Sequence, residues 1–275
     1  MSQFAELLDY AGRRVVVTGC ASGIGAALVG QLTGLGAEVV GLDVRRPAFE
    51  LYDFHPVDLS DPASIDSAVG SIDGQVDALF NVAGVSSGIG DPLLVVKIDF
   101  LGTRQLTESL APRMPSGAAI ASVSSLAASN YEANVAEVAG LLATRTFDDG
   151  VRWCGEHPDA LADGGYRLAK EAIILYGMKS AVPLGARGIR INCTGPGVTE
   201  TPILDQLRTK YGQAYLDDIP KPLGRVSNPD EQAAVLVFLN SPAAGYITGQ
   251  VVWVDGGNIA SRLAATMEGA SSWPA

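Results

Sequence analysis

A chain of 275 residues, 47% hydrophobic and only 18% charged, has ample apolar material for a buried core and too little charge for disorder. Its formal net charge of −11 repels phosphate backbones, which argues against nucleic acid and anionic membrane surfaces as partners. Cys20, Cys154 and Cys193 are odd in number and far apart, so they form no disulfide framework and fit a reducing compartment. Met1 to Tyr10 lacks the basic-then-apolar pattern of a secretion signal, and no apolar run approaches membrane-spanning length. The expectation is a soluble cytoplasmic protein.

Val15-Val16-Val17 reads as a buried strand that feeds a glycine loop. From Gly23 to Leu35, the residues Ile24, Leu28, Leu32 and Leu35 recur at helical spacing. Glu38 to Leu42 and Phe54 to Val57 read as the second and third strands, and Asp77 to Val82 as the fourth. A helix is expected over Pro92 to Leu110, then a fifth strand over Ala118 to Val123. Leu126 to Gly165 is too long for a plain loop. Val135, Val138, Leu141 and Leu142 sit at helical spacing there, and a second segment holds Phe147, Val151 and Trp153. This stretch (about 126–165) is read as a helical insertion with a role as substrate lid or interface. Tyr166 to Tyr176 reads as helix, Ile189 to Ile191 as the sixth strand, Pro229 to Leu239 as helix and Val251 to Val254 as the seventh strand. Alternation of this kind predicts the α/β class: a doubly wound, seven-stranded parallel sheet of Rossmann type, with right-handed crossovers and both faces covered. Without a linker, repeat or low-complexity block, residues 1–275 read as one domain.

The segment Thr18 to Gly25 lies between the first strand and the first helix. A pyrophosphate needs to approach backbone N–H groups at a helix N-terminus, and a Cβ at the glycine positions would block it. Gly19, Ser22, Gly23, Ile24 and Gly25 are therefore candidate cofactor contacts. The turn is wider than G-x-G-x-x-G, because position 28 is leucine. Asp43 ends the second strand, 18 residues after Gly25, where a carboxylate accepts bonds from ribose hydroxyls and repels a 2′-phosphate. That selects NAD over NADP, although Arg45 and Arg46 follow closely and are able to neutralise a phosphate. Asp58 and Leu59 are placed to contact adenine. The small-residue turn Asn81-Val82-Ala83-Gly84 passes beneath the ribose.

Tyr166 and Lys170 lie four apart on one helix face, so the ammonium sits near the phenol and favours its ionised form. Such a phenol exchanges a proton with an alcohol or carbonyl near working pH. Ser125, at the end of the fifth strand, is positioned to hydrogen-bond the same substrate oxygen.

In this order along the chain, the motifs resemble the short-chain dehydrogenase/reductase family from about Gly12 to Gly257. The resemblance adds Pro196-Gly197 with Thr199 and Thr201, which it implies seat the nicotinamide, and Asp255-Gly256-Gly257. It implies catalysis by Ser125 rather than the adjacent Ser124, with Tyr166 and Lys170. It also implies hydride transfer between NAD and an apolar alcohol or ketone. Two departures stand out. Asp99, in Ile98-Asp99-Phe100-Leu101-Gly102, occupies a position where the family has asparagine, and a carboxylate there would help keep Lys170 charged. The gap of 41 residues from Ser125 to Tyr166 looks like that of the bacterial 3α-hydroxysteroid dehydrogenase/carbonyl reductase subgroup. Asn81 to Ser86 through Asp91-Pro92, and Thr199 to Leu204, also resemble coniferyl alcohol dehydrogenases. The implied substrate is a hydroxysteroid-like secondary alcohol or ketone, with an aromatic primary alcohol as the alternative. The implied assembly is a homodimer or homotetramer.

Gly84-Val85-Ser86-Ser87-Gly88 matches the G-x-S-x-G pattern of a hydrolase elbow, but Ile89-Gly90-Asp91-Pro92 follows where a helix is required. With only two histidines, His55 and His157, and scattered cysteines, no zinc site is expected. A non-catalytic NAD-binding sensor would keep the glycine loop and Asp43, with no reason to keep Ser125, Tyr166 and Lys170 together.

Overall fold

Seven short runs rich in β-branched and aliphatic residues form β1 (Arg14–Thr18), β2 (Glu38–Asp43), β3 (Asp53–Pro56), β4 (Ala78–Asn81), β5 (Ala119–Val123), β6 (Arg190–Pro196) and β7 (Val251–Val254). The computed structural model describes residues 6–267, so 1–5 and 268–275, included in the one-domain reading, lie outside the described residues. Every pairing is parallel, in the order β3-β2-β1-β4-β5-β6-β7. The strands fall close to their expected positions. The exception is β6, which runs past Ile191 to Pro196 because its pairing with β7 continues there.

The helices are α1 (Gly23–Gly34), α2 (Pro62–Ser71), α3 (Pro92–Val96), α4 (Thr103–Leu110), α5 (Val135–Leu142), α6 (Phe147–Glu156), α7 (Tyr166–Gly185), α8 (Pro202–Tyr211), α9 (Gln213–Asp217), α10 (Pro229–Asn240) and α11 (Asn258–Ala264). Because side chains alternate along a strand, β1 sends Val16 to one face and Val15 and Val17 to the other. Val16 joins Leu79, Ile120 and Ile191 beneath Ile65 of α2 and Leu106 of α4. Val15 and Val17 join Phe80 and Ala121 beneath Leu28 of α1 and Leu236 of α10. Both faces are thus closed to water, as an all-parallel sheet requires.

The expected helix from Pro92 to Leu110 is interrupted. A π-helical turn, Lys97–Gly102, separates α3 from α4 and carries Asp99. Gly102 in this turn lies so close to the Leu59 carbonyl oxygen that a Cβ would collide with it. The insertion is helical, as expected, and α5 and α6 lie against α7 and the π turn. Val138, Leu141 and Phe147 share a buried cluster with Phe100, Leu101, Leu168 and Ile173. Arg104 of α4 fastens the α5–α6 connection by donating Nη1 to the Thr144 carbonyl and Nη2 to the Thr146 carbonyl, each at 3.0 Å.

Candidate active site

The strand order reverses between β1 and β4, which opens a crevice at the carboxyl ends of the strands. A cavity of about 840 Å³ occupies it. Thr18 closes β1 against the neighbouring turn, its Oγ1 accepting from the Val82 and Ala83 N–H groups at 3.0 Å each. Sequence reasoning passed over this contact, because a lone strand-end threonine carries no signal.

Gly19, Ser22, Gly23, Ile24 and Gly25 line the cavity. Ser22 stands at the α1 N-terminus in extended backbone and makes no side-chain cap, so the first N–H groups of α1 have no side-chain acceptor from it. The loop tolerates no side chain at two points. A Cβ on Gly19 would come within 2.7 Å of the Ala83 Cα, and one on Gly25 would strike the Gly19 carbonyl oxygen. An uncapped helix start in a tight glycine turn is a fit for a pyrophosphate.

Asp43 is held at the cavity edge, with Oδ2 accepting from Ala21 N and Oδ1 from Arg45 N, both at 3.0 Å. Asp58 and Leu59 also line it, although Asp58 Oδ1 already accepts from the N–H and hydroxyl of Ser60 at 2.8 and 2.7 Å. Ala83 and Gly84 are in the wall, but Asn81 is not among its lining residues. Its side chain lies inside the fold, donating Nδ2 to Thr107 Oγ1 at 3.0 Å and Ser122 Oγ at 3.2 Å. Asn81 is still within β4, and it crosslinks the sheet to α4. Pro196, Gly197, Thr199 and Thr201 complete the opposite wall. Thr199 Oγ1 lies 2.8 Å from Ser227 Oγ, and Thr201 caps α8 through Leu204 N at 3.4 Å.

Adjacent serines at the end of β5 point to opposite sides. Ser124 is buried and donates Oγ to the Lys170 carbonyl at 2.7 Å. Ser125 faces the cavity, its Oγ accepting from Ala127 N at 3.2 Å. Tyr166 is the first residue of α7 and Lys170 stands one turn on, with Nζ 5.5 Å from the Tyr166 ring centre. Both reach the cavity. Lys170 Nζ donates to the Val123 carbonyl at 3.3 Å and lies 3.1 Å from Asp99 Oδ2. Asp99 Oδ1 accepts from Val85 N at 2.8 Å, so the carboxylate lies behind the cavity wall and acts through its neighbours. Burial pushes the Asp99 carboxyl up, against the pull of the Lys170 ammonium and the Val85 N–H. Burial is the strongest single influence on Lys170 and works against its charge, but the Asp99 carboxylate and the Tyr166 phenol together outweigh it and hold the ammonium above the ordinary lysine range.

The far wall was not foreseen. Ile203, Leu204 and Leu207 of α8, with Leu216 and Ile219 beyond it, make an apolar face. The rings of Tyr211 and Tyr215, 5.1 Å apart, stand at its rim. Leu204, Leu207 and Tyr211 recur at helical spacing, a signal that was available in the sequence. The insertion contributes only its ends, through Leu126, Ala127, Ser129, Asn130 and Asp163, so α5 and α6 do not form a lid. The G-x-S-x-G segment is irregular to Ser86 and then enters a short 3-10 helix, Ser87–Ile89. Ser86 Oγ donates to Gln206 Oε1 at 3.1 Å, while His157 is stacked on Trp153 within the insertion.

Residues 160–258 match the family described as Enoyl-(Acyl carrier protein) reductase, and 15–139 match the NAD dependent epimerase/dehydratase family. A coniferyl-alcohol dehydrogenase of Pseudomonas sp. (strain HR199) is 34% identical over 91% of this chain and 98% of its own. A 3-alpha-hydroxysteroid dehydrogenase/carbonyl reductase of Comamonas testosteroni is 32% identical over 88% of this chain and 95% of its own. Among solved structures, the 3-alpha-hydroxysteroid dehydrogenase of Pseudomonas sp. B-0831, complexed with NADH, has a TM-score of 0.78 and 29% identity. That match covers 92% of this chain and 99% of the other.

Replacement of Gly25 by alanine, which forces the loop off the Gly19 carbonyl, is expected to weaken NADH binding by roughly tenfold or more. Fluorescence titration with NADH reads the effect, and an unchanged affinity would remove the glycine turn from the binding site.

Proposed function

The chain belongs to the short-chain dehydrogenase/reductase family, and from that premise we propose that it is an NAD-dependent alcohol dehydrogenase, running in reverse as a ketone reductase. The observation that carries this reading is convergence. Ser125, Tyr166 and Lys170 open onto the same cavity as the glycine turn and Asp43.

The α1 N-terminus with Gly19, Ser22, Gly23, Ile24 and Gly25 holds the pyrophosphate. Asp43 takes the adenosine ribose and disfavours a 2′-phosphate. Asp58 and Leu59 would contact the adenine, and the small residues Ala83 and Gly84 would leave room for the ribose. Pro196, Gly197, Thr199 and Thr201 seat the nicotinamide, which when bound accepts or supplies the hydride. In alcohol oxidation Tyr166 takes the hydroxyl proton, while Ser125 Oγ orients the substrate oxygen. Lys170 binds ribose hydroxyls and sets its charge beside the Tyr166 ring, and Asp99 keeps that charge in place.

The apolar wall of α8 and α9 suits a sizeable hydrophobic substrate. A hydroxysteroid-type secondary alcohol is the first choice. An aromatic primary alcohol of coniferyl type is the second, favoured by the paired Tyr211 and Tyr215 rings. NADH formation from NAD with a 3α-hydroxysteroid, coniferyl alcohol and simple secondary alcohols, with NADP in parallel, tests the whole reading. No turnover with any of them would overturn it.

A homodimer or homotetramer is proposed, built on faces other than the side of α4 and α7 that the insertion covers. No described helix is long and apolar enough to cross a membrane, and a cytoplasmic location is proposed. Light scattering on protein from the clarified lysate checks both; a monomer, or recovery only with membranes, would contradict them.

Tyr166→Phe is expected to lower turnover by roughly 10²–10⁴-fold, the scale of a lost acid–base group, with NADH affinity nearly unchanged. Wild-type turnover in that variant would sink the mechanism. Asp99→Asn keeps an acceptor for Val85 N but removes the charge opposing Lys170. With the carboxylate gone, burial pulls the buried Lys170 down and its ammonium is lost sooner, so the fall in turnover on the alkaline side of the pH–rate profile sets in at lower pH. An unmoved alkaline limb would show that the carboxylate does not hold the lysine charge.

A further inference from the structure

The turn that delivers Tyr166 to the cavity has little internal stiffness. Gly164 and Gly165 both lie in the left-handed region, at φ +89° and +74°. Gly165, as N-cap of α7, offers no side chain to cap it. Neither position has room for more, since a Cβ on Gly164 would sit 2.9 Å from Ser87 Cβ and one on Gly165 would strike the Pro92 carbonyl oxygen. Successive glycines lose the most backbone freedom on ordering, so contacts from outside the turn have to fix where Tyr166 points.

Arg167, the next residue, supplies them. Its Nε donates to Asp163 Oδ2 at 2.7 Å, Nη1 to Glu171 Oε2 at 2.7 Å and Nη2 to Glu137 Oε1 at 3.0 Å. Asp163 closes the turn by also accepting from Gly165 N at 3.2 Å. Glu171 is fully buried, and its other oxygen accepts from Asn134 Nδ2 at 2.6 Å. One guanidinium therefore joins the first turn of α5, the end of the insertion and the second turn of α7. The arginine side chain is 28% exposed and Glu171 not at all, so solvent screens this contact far less than a surface ion pair.

Attachment of the insertion does not account for this arrangement. The apolar cluster around Leu101 and Val138, together with Arg104 on the Thr144 and Thr146 carbonyls, already attaches it. Beyond that attachment, Arg167 braces the double-glycine turn by gripping Asp163, which itself accepts from Gly165 N. We propose that Arg167 is a positioning residue for Tyr166, and that the insertion serves the reaction by holding this arginine. The inference rests on Tyr166 being the acid–base group.

Glu137 and Asp163 are partly exposed, so each can be cut back without stranding the buried Glu171. Glu137 does not line the cavity, and an effect of its loss on chemistry has to travel through Arg167. Single-turnover NADH formation is measured for Glu137→Ala and Asp163→Ala. Both are expected to slow hydride transfer by roughly tenfold, the scale of a modest misplacement of a reacting group, while the KM for Glu137→Ala and the NADH affinity of both stay within about twofold. Thr146→Ala is the control. It removes the capping box of α6 and loosens the insertion away from Arg167, so it lowers the melting temperature and leaves the hydride-transfer rate alone. A Glu137→Ala rate within twofold of wild type, or equal slowing by Thr146→Ala, overturns the proposal. Absence of turnover in the wild-type chain overturns it together with the functional reading.

Discussion

Parallel pairing of all seven strands is the constraint from which the site follows. Strands that run one way end on one edge, so β1, β4, β5 and β6 deliver their following turns to the same rim. The glycine turn, Ala83-Gly84, Ser125 and Pro196-Gly197 are each the first residues beyond, or the last within, one of those strands. They are distant in sequence and adjacent in space because every crossover returns to the opposite edge before the next strand starts. Thr18 then locks two of the turns together with one hydroxyl. The open end of the crevice is left to α8 and α9, whose apolar residues face it.

How much of this was legible depended on whether the signal was local. The strands announced themselves as short aliphatic runs, and Tyr166 with Lys170 by helical spacing, since burial and periodicity are written residue by residue. The choice of Ser125 over Ser124 came from family resemblance, and the geometry separates them by burial: the Ser124 hydroxyl is buried and committed to the Lys170 carbonyl, while the less buried Ser125 Oγ accepts from Ala127 N. Asn81 was misplaced. The strand reading over Asp77 to Val82 already held Asn81, but it does not reveal that the side chain points into the α4 layer rather than to the cavity. The π turn was invisible, because Lys97 to Gly102 satisfies a helical pattern. Nor could the sequence say that the insertion lies behind α7. Its amphipathic spacing specifies a buried face but not which neighbour buries it.

Between the sheet and the insertion, one layer holds Asp99, Lys170 and Glu171, all nearly or fully buried. Stability does not explain them. Ion pairs taken out of water recover their desolvation only with good geometry, and apolar residues of similar volume often serve the fold as well or better. Each of these groups instead reaches toward Tyr166 along a short path. Asp99 acts through Lys170, whose Nζ lies near the Tyr166 ring, and Glu171 acts through Arg167 on the turn that carries it. With Tyr166 as the proposed acid–base group, the first path would set the charge beside the phenol and the second its place, two demands that a layer built for packing alone does not make. On the proposed reading, the cost of burying those charges serves chemistry at Tyr166 rather than holding the fold together.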